Sequence, residues 1–221
     1  MSTSLKWGIL GCGRISNDFV MGLQLVQGAH VVACASRDLS TAQTFGQTHD
    51  IATCYDTYEA LCADPAVDIV YIGTLHTLHH PHALLALKHN KHVLVEKPIA
   101  MNEHQLSQIV AIAREKQLFL MEAMWTRFFP AVRRVRKLLK QGILGQIHCV
   151  KADMGFAFAA NADRIWKRSL GGGGLLDIGI YPLAFVSMVF DEEPVHVHAT
   201  GEISKDESVD IYAVVTLHIR V

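Results

Sequence analysis

The sequence has no surplus of charge of either sign: 20 Lys and Arg stand against 21 Asp and Glu in 221 residues. Without a basic excess there is no electrostatic reason to expect nucleic acid or an anionic membrane as a partner. Paired cysteines are missing as well. Five occur, at 12, 34, 54, 62 and 149, an odd number without metal-ligand spacing, as expected of separate free thiols in a reducing compartment. No uncharged apolar run approaches the roughly 18 residues of a membrane span, and the N-terminus lacks a charged segment followed by a long apolar one. These absences predict a cytoplasmic protein. Apolar residues are abundant: half of the chain is hydrophobic, enough to bury the core of one large domain or two modest ones. The short basic run over 133–140 alternates with Val135, Leu138 and Leu139 and reads as the solvated face of a helix.

The stretch His92-Val93-Leu94-Val95-Glu96-Lys97-Pro98 organises the reading. Three β-favouring apolar residues predict a buried strand, and Glu, Lys and Pro end it abruptly. Lys97 is thereby delivered to the carboxyl edge of a sheet, where open α/β sheets bind ligands. Proline keeps it in extended backbone. A strand-end ion pair of Glu96 is the plain alternative.

Earlier in the chain, a strand over 6–10 runs into Gly11-Cys12-Gly13-Arg14-Ile15-Ser16, and a helix follows to about residue 26. Gly11 permits the tight turn, Gly13 lets backbone approach a pyrophosphate, and Ser16, in place of a third glycine, is small enough for close helix packing. A second strand over 30–35 ends at Ser36-Arg37-Asp38 with no acid directly at its end. A serine and a guanidinium suit a 2′-phosphate, which favours NADP over NAD, and Asp38 can cap the next helix while Arg37 faces the ligand. A capping box at Asp56-Thr57-Tyr58-Glu59 and a buried strand over 67–73 complete a βαβαβ pattern. Four histidines, 76, 79, 80 and 82, follow Thr74. They read as hydrogen-bonding loop residues, since no cysteine or carboxylate stands nearby to complete a metal shell. A helix over 102–117 starts on the Asn102/Gln105 cap pair.

The aromatic crossing from Glu122 to Pro130 predicts the boundary between a domain over 1–123 and one over 124–221, with Trp125 a candidate pocket wall or core residue. A strand is expected over 145–154 and a polar irregular stretch over 157–169. Gly171 to Gly174 then precede Leu175-Leu176-Asp177-Ile178-Gly179-Ile180-Tyr181-Pro182. Asp177 and Tyr181, four apart, are expected on one helical face, with a kink at Pro182. Antiparallel strands are expected over 194–201 and 209–221.

Together Gly11-Cys12-Gly13, Val95-Glu96-Lys97-Pro98 and Gly172-Gly173-Gly174-Leu175-Leu176-Asp177-Ile178-Gly179 resemble the glucose–fructose oxidoreductase/inositol dehydrogenase (Gfo/Idh/MocA) family over the whole chain. The segments from Glu122 to Pro130 and from Asp177 to Tyr181 resemble its dihydrodiol and D-xylose dehydrogenase branch, because many family members carry His at the position of Tyr181. The resemblance implies an N-terminal Rossmann domain with a doubly wound parallel sheet. An α+β domain with an open, mostly antiparallel sheet follows it and forms a homodimer face. It implies NADP as cofactor and a sugar or trans-dihydrodiol as small-molecule substrate, with Lys97 and Tyr181 as the catalytic pair and Asp177 and Trp125 toward the substrate. Gly11, Cys12, Gly13, Arg14, Ile15, Ser36, Arg37, Thr74, His76, His79, Glu96 and Lys97 are then cofactor-binding candidates. Family members are longer, so the second sheet is expected to be incomplete, and a catalytically impaired NADP-binding product or another sugar or inositol dehydrogenase of the family is the alternative reading.

Overall fold

The computed structural model describes residues 4–220. Contacts divide it into two compact units, Met1–Ala123 and Met124–Val221.

In the first unit β1 (Leu5–Leu10), α1 (Arg14–Leu23), β2 (Ala29–Ala35), α2 (Leu39–His49), β3 (Thr53–Tyr55), α3 (Tyr58–Ala63), β4 (Ile69–Ile72), α4 (His79–Lys88), β5 (His92–Val95), α5 (Glu103–Glu115) and β6 (Leu120–Glu122) follow one another. The strands form one parallel sheet in the order β3-β2-β1-β4-β5-β6. Strand order reverses between β1 and β4, the switch point at which such sheets leave a crevice at their carboxyl ends. Adjacent residues of one strand serve opposite layers, because side chains alternate across a sheet. Ile9 packs with Val20, Phe45, Tyr71 and Leu94, whereas Leu10 packs with Leu61, Ile72, Leu87 and Ile109. Covering both faces is what makes these strands continuously apolar.

The helix starts follow their capping residues. Asp38 accepts from the Thr41 amide, Thr57 from that of Ala60 and Asn102 from that of Gln105, while the Gln105 side chain accepts from the Met101 amide at 3.0 Å. Several boundaries differ from expectation: β4 is shorter than 67–73, and β7 starts two residues later than 194. α1 ends at Leu23, three residues early, and β3 is a three-residue strand too short and polar to be read in the sequence. The thiols are not all apart: neighbouring strands bring Cys34 Sγ and Cys54 Sγ to 3.7 Å, and all five cysteines are free.

The second unit opens on a single 3-10 turn, Trp125–Phe128, then α6 (Pro130–Lys140), a four-residue helix α7 (Asp163–Trp166), a wide π turn Leu175–Gly179 and α8 (Ile180–Phe190). β7 (His196–Ile203) and β8 (Asp210–His218) pair antiparallel. The strand expected over 145–154 does not form, for a strand exists only through the partner that takes its backbone hydrogen bonds, and no described strand pairs with this segment. Near the expected kink a π turn ends at Gly179, three residues before Pro182, which itself sits in the first turn of α8, where its missing N–H costs no helical bond. Among the described residues the stretch Arg168–Phe190 has the length and apolar composition of a membrane span. The expectation of no span counts only uncharged runs, and Asp177 interrupts this one.

Candidate active site

In the first unit two helix starts sit at the carboxyl edge of the sheet and are treated oppositely. α1 begins at Gly13 with no side chain capping it and no acid in its first turn. A methyl group built on Gly13 would meet nothing within 4 Å, so the space over these amides is open. Gly11 has φ +94°, and a side chain there would run into Thr74 and Gly73, which is why the turn requires glycine. Ser16 is fully buried against Gly73, where a side chain on Gly73 would strike its hydroxyl. Cys12 lies in the loop with its thiol 3.4 Å from the Ala35 carbonyl. Hydrogen bonding from the Cys34 thiol holds the Cys12 pKa below its ordinary value. An open groove of about 380 Å³ runs from Cys12, Gly13 and Arg14 to Ser40 and Thr41, and the neighbouring Ile15 is exposed. Uncapped amides, no acid and open space form a site for a phosphate anion.

The start of α2 is closed. Asp38 Oδ2 accepts from Ser40 Oγ at 2.6 Å, the Thr41 amide at 2.9 Å and Thr41 Oγ1 at 2.7 Å. The Ser40 hydroxyl, then those of Thr41, pull its pKa down to about 2. The Oδ2 of this carboxylate is engaged by its own helix start. Arg37 precedes it, beside the Tyr58 hydroxyl, and the Ser36 amide is fixed on the Tyr55 carbonyl at 3.2 Å.

Behind the switch point, the histidines serve the loops. Thr74 Oγ1 meets His82 Nδ1 at 3.0 Å. His79 is buried, with Nδ1 2.7 Å from the Pro98 carbonyl and Nε2 3.0 Å from that of Thr74. The ring thus lies between the loop after β4 and the loop after β5. Burial lowers the pKa of both His79 and His82 to about 4, so at neutral pH each is an uncharged ring, and the single N–H of His79 goes to one of its two carbonyls. His76 is buried, its ring centroid 6.5 Å from that of His79. Among the described residues no three His, Cys, Asp or Glu side chains converge on a metal position. Glu96 accepts from the Tyr71 hydroxyl at 2.8 Å and from the Lys97 amide at 3.2 Å. Burial raises its pKa. Glu96 therefore shapes the strand end internally, and Lys97 follows it, half-buried, before a cis peptide to Pro98.

In the second unit two pairs stand out. Trp125 Nε1 donates to Tyr181 Oη at 3.0 Å, so Trp125 contacts the expected catalytic phenol directly. Asp177, in the π turn, is gripped at both oxygens by Arg164: Nη1 to Oδ1 at 2.7 Å and Nη2 to Oδ2 at 3.3 Å. Arg164 was missed by the sequence reading. Its signal, a lone arginine in a polar stretch thirteen residues upstream, carries no spacing that points to Asp177.

Comparison with known proteins agrees with this geometry. Residues 5–124 match the oxidoreductase family with NAD-binding Rossmann fold, GFO/IDH/MocA, and residues 132–220 match the GFO/IDH/MocA C-terminal domain. Trans-1,2-dihydrobenzene-1,2-diol dehydrogenase of Danio rerio is 46% identical over 217 residues, covering 97% of this chain and 64% of the relative. That of Homo sapiens is 44% identical, covering 94% and 64%. The chain therefore spans about 64% of the length of these curated relatives. Among solved structures, the 3-ketoreductase KijD10 of Actinomadura kijaniata, in complex with NADP and TDP-benzene, superposes with a TM-score of 0.89 at 30% identity, covering 99% of this chain and 67% of that one. Aldose–aldose oxidoreductase of Caulobacter crescentus, complexed with glycerol, gives 0.86 at 29% identity over 94% of this chain and 65% of that one. Open phosphate-ready amides at the switch point, the Lys97 strand end and two family matches that together span most of the sequence lead to one conclusion: this chain belongs to the GFO/IDH/MocA oxidoreductase family.

Proposed function

We propose that the protein is a cytoplasmic NADP-dependent dehydrogenase acting on a CH–OH group, with a sugar hemiacetal such as that of D-xylose, or a trans-dihydrodiol, as substrate. The first unit is the cofactor domain and the second the substrate domain. The observation that carries the reading is the contrast of helix starts: α1 offers bare amides beside Gly13, while Asp38 is tied into its own helix and leaves Arg37 to meet a 2′-phosphate. Gly11, Cys12, Gly13, Arg14 and Ile15 would hold the pyrophosphate side, Ser36 and Arg37 the 2′-phosphate, and the loops carrying Thr74, His76, His79, Glu96 and Lys97 the remainder. When bound, the nicotinamide supplies the acceptor for the substrate hydride.

Tyr181 takes the hydroxyl proton. A phenol titrates near ~10 and needs help to act as a base near neutrality. The indole N–H of Trp125 supplies part of that help, since an indole is a donor only and a donor on Oη favours the phenolate. Lys97 is the proposed cation that favours negative charge on the substrate oxygen in the transition state. Asp177, paired with Arg164, accepts from substrate hydroxyls and orients them. We further propose a homodimer through the β7–β8 sheet, supported by apolar side chains such as Val197 and Tyr212 that are 62% and 59% exposed on it.

A panel of D-xylose, D-glucose, myo-inositol and trans-dihydrodiols with NADP+ or NAD+, read by reduced-nicotinamide absorbance, tests the proposal. Turnover of D-xylose or a dihydrodiol with NADP+ is expected. Cofactor binding with no turnover of any of them would reduce the protein to an NADP-binding one.

A further inference from the structure

The glycine run before the π turn does more than give the chain freedom. A methyl group on Gly172 would strike the carbonyls of Ile165 and Lys167, and one on Gly173, at φ +125°, would strike the Asp210 carboxylate. Both positions are therefore places where backbone lies directly on backbone or on a carboxylate. The Gly172 amide donates to Lys167 O and the Gly173 amide to Ile165 O, each at 2.9 Å. These bonds seat α7 on the segment that carries Asp177. The seat is anchored from both sides. Ile165 is buried, Trp166 Nε1 donates to Ala159 O at 2.8 Å, and Asp210 Oδ2 accepts from the Leu175 amide at 2.6 Å. One residue before Ile165 is Arg164, whose guanidinium reaches both oxygens of Asp177.

We propose that Arg164 is a positioning residue of the second unit, acting on the substrate only through Asp177; this rests on the proposed role of Asp177 above. The Asp177 side chain is 9% exposed and that of Arg164 47%. The carboxylate is thus the buried partner and the guanidinium its bridge to solvent. A planar fork on both oxygens fixes the rotamer of Asp177. A carboxylate so fixed is an oriented acceptor for substrate hydroxyls, with proton transfer left to Tyr181. Lysine, a point charge, cannot reproduce the two-pronged geometry.

The test is a double-mutant cycle on the full chain with Arg164→Met, Asp177→Asn, the two combined, and Arg164→Lys. It is read three ways: urea stability, NADP+ dissociation constant, and KM and kcat for D-xylose. Arg164→Met is expected to raise KM about tenfold or more, change kcat less than about threefold and leave NADP+ binding unchanged, with Arg164→Lys in between. The combined variant should be no worse in kcat/KM than Asp177→Asn alone, and its stability loss should be smaller than the sum of the two single losses. Additive stability losses would overturn the pairing whether or not the chain turns over sugar. A combined variant clearly worse than Asp177→Asn would show that Arg164 touches substrate itself, against the proposal. Asp177→Asn with unchanged KM would instead reject the role given to Asp177 under the proposed function, with the stability cycle still deciding the pairing.

Discussion

The two units bury themselves very differently. The first covers both faces of a six-stranded sheet, and whole strands such as Ile69–Ile72 are buried. In the second, buried hydrophobics are scattered, among them Met124, Ile165, Met188 and Val209, and all eight residues of β7 are exposed. Apolar burial is the main favourable term in folding, so the first unit is held by its core. The second depends on individual polar ties, such as Arg164 to Asp177 and Asp210 to the Leu175 amide. A site built on the first unit is held by the whole scaffold, whereas a site on the second stands or falls with single side chains.

Activity breaks this comparison most sharply. Lys97→Met, two residues beyond the end of β5, should lower kcat by a factor on the order of a thousand or more while NADP+ binding and stability change little. An active variant would remove Lys97 from the chemistry. Arg37→Ala should weaken NADP+ on the order of a hundredfold and NAD+ much less, measured by fluorescence titration; equal losses would reject the 2′-phosphate assignment. In the second unit Gly172→Ala should destabilise by about 2 kcal/mol, since a methyl group meets immovable carbonyls. Gly13→Ala in the first unit should cost less than about 0.5 kcal/mol in stability yet weaken the cofactor, because its methyl group meets only open space.

The smallest effect is on pH dependence. His79 and His82 are held near pKa 4 by burial, below the ordinary ~6.5 of an unfolded histidine. Between those values the unfolded chain binds more protons than the folded one, so the stability of the first unit should fall as pH drops from about 6.5 to about 4. Glu96, raised by burial, works in the opposite sense, but one carboxyl faces two histidines. Hydrogen exchange resolved by segment should show this loss in the first unit and not in the second.

Legibility follows the same division. In the first unit the Gly11 turn, the Asp38 and Asn102 caps and the β5 strand could be read because each rests on local chemistry: a φ value, a side chain reaching an amide three residues on, an apolar run. β3 escaped because three residues carry no period, and its existence depends on β2 beside it. The strand expected over 145–154 failed for the converse reason, a suitable composition without a partner. The closeness of Cys34 and Cys54, the grip of Arg164 on Asp177 and the bond from Trp125 to Tyr181 join residues 20, 13 and 56 positions apart. No spacing rule reaches that far.

By itself the sequence determined the helix starts that carry a capping side chain, such as those at Asp38 and Asn102, where backbone must be glycine, and that a lysine follows a buried strand. Those are properties of a few neighbouring residues and their backbone angles. Which charged groups neutralise one another, which histidines give their nitrogens to loop carbonyls and which donor meets the tyrosine oxygen were decided only by tertiary structure. Hydrogen bonds and ion pairs act over about 3 Å of space, and the folded chain alone sets which distant residues come that near.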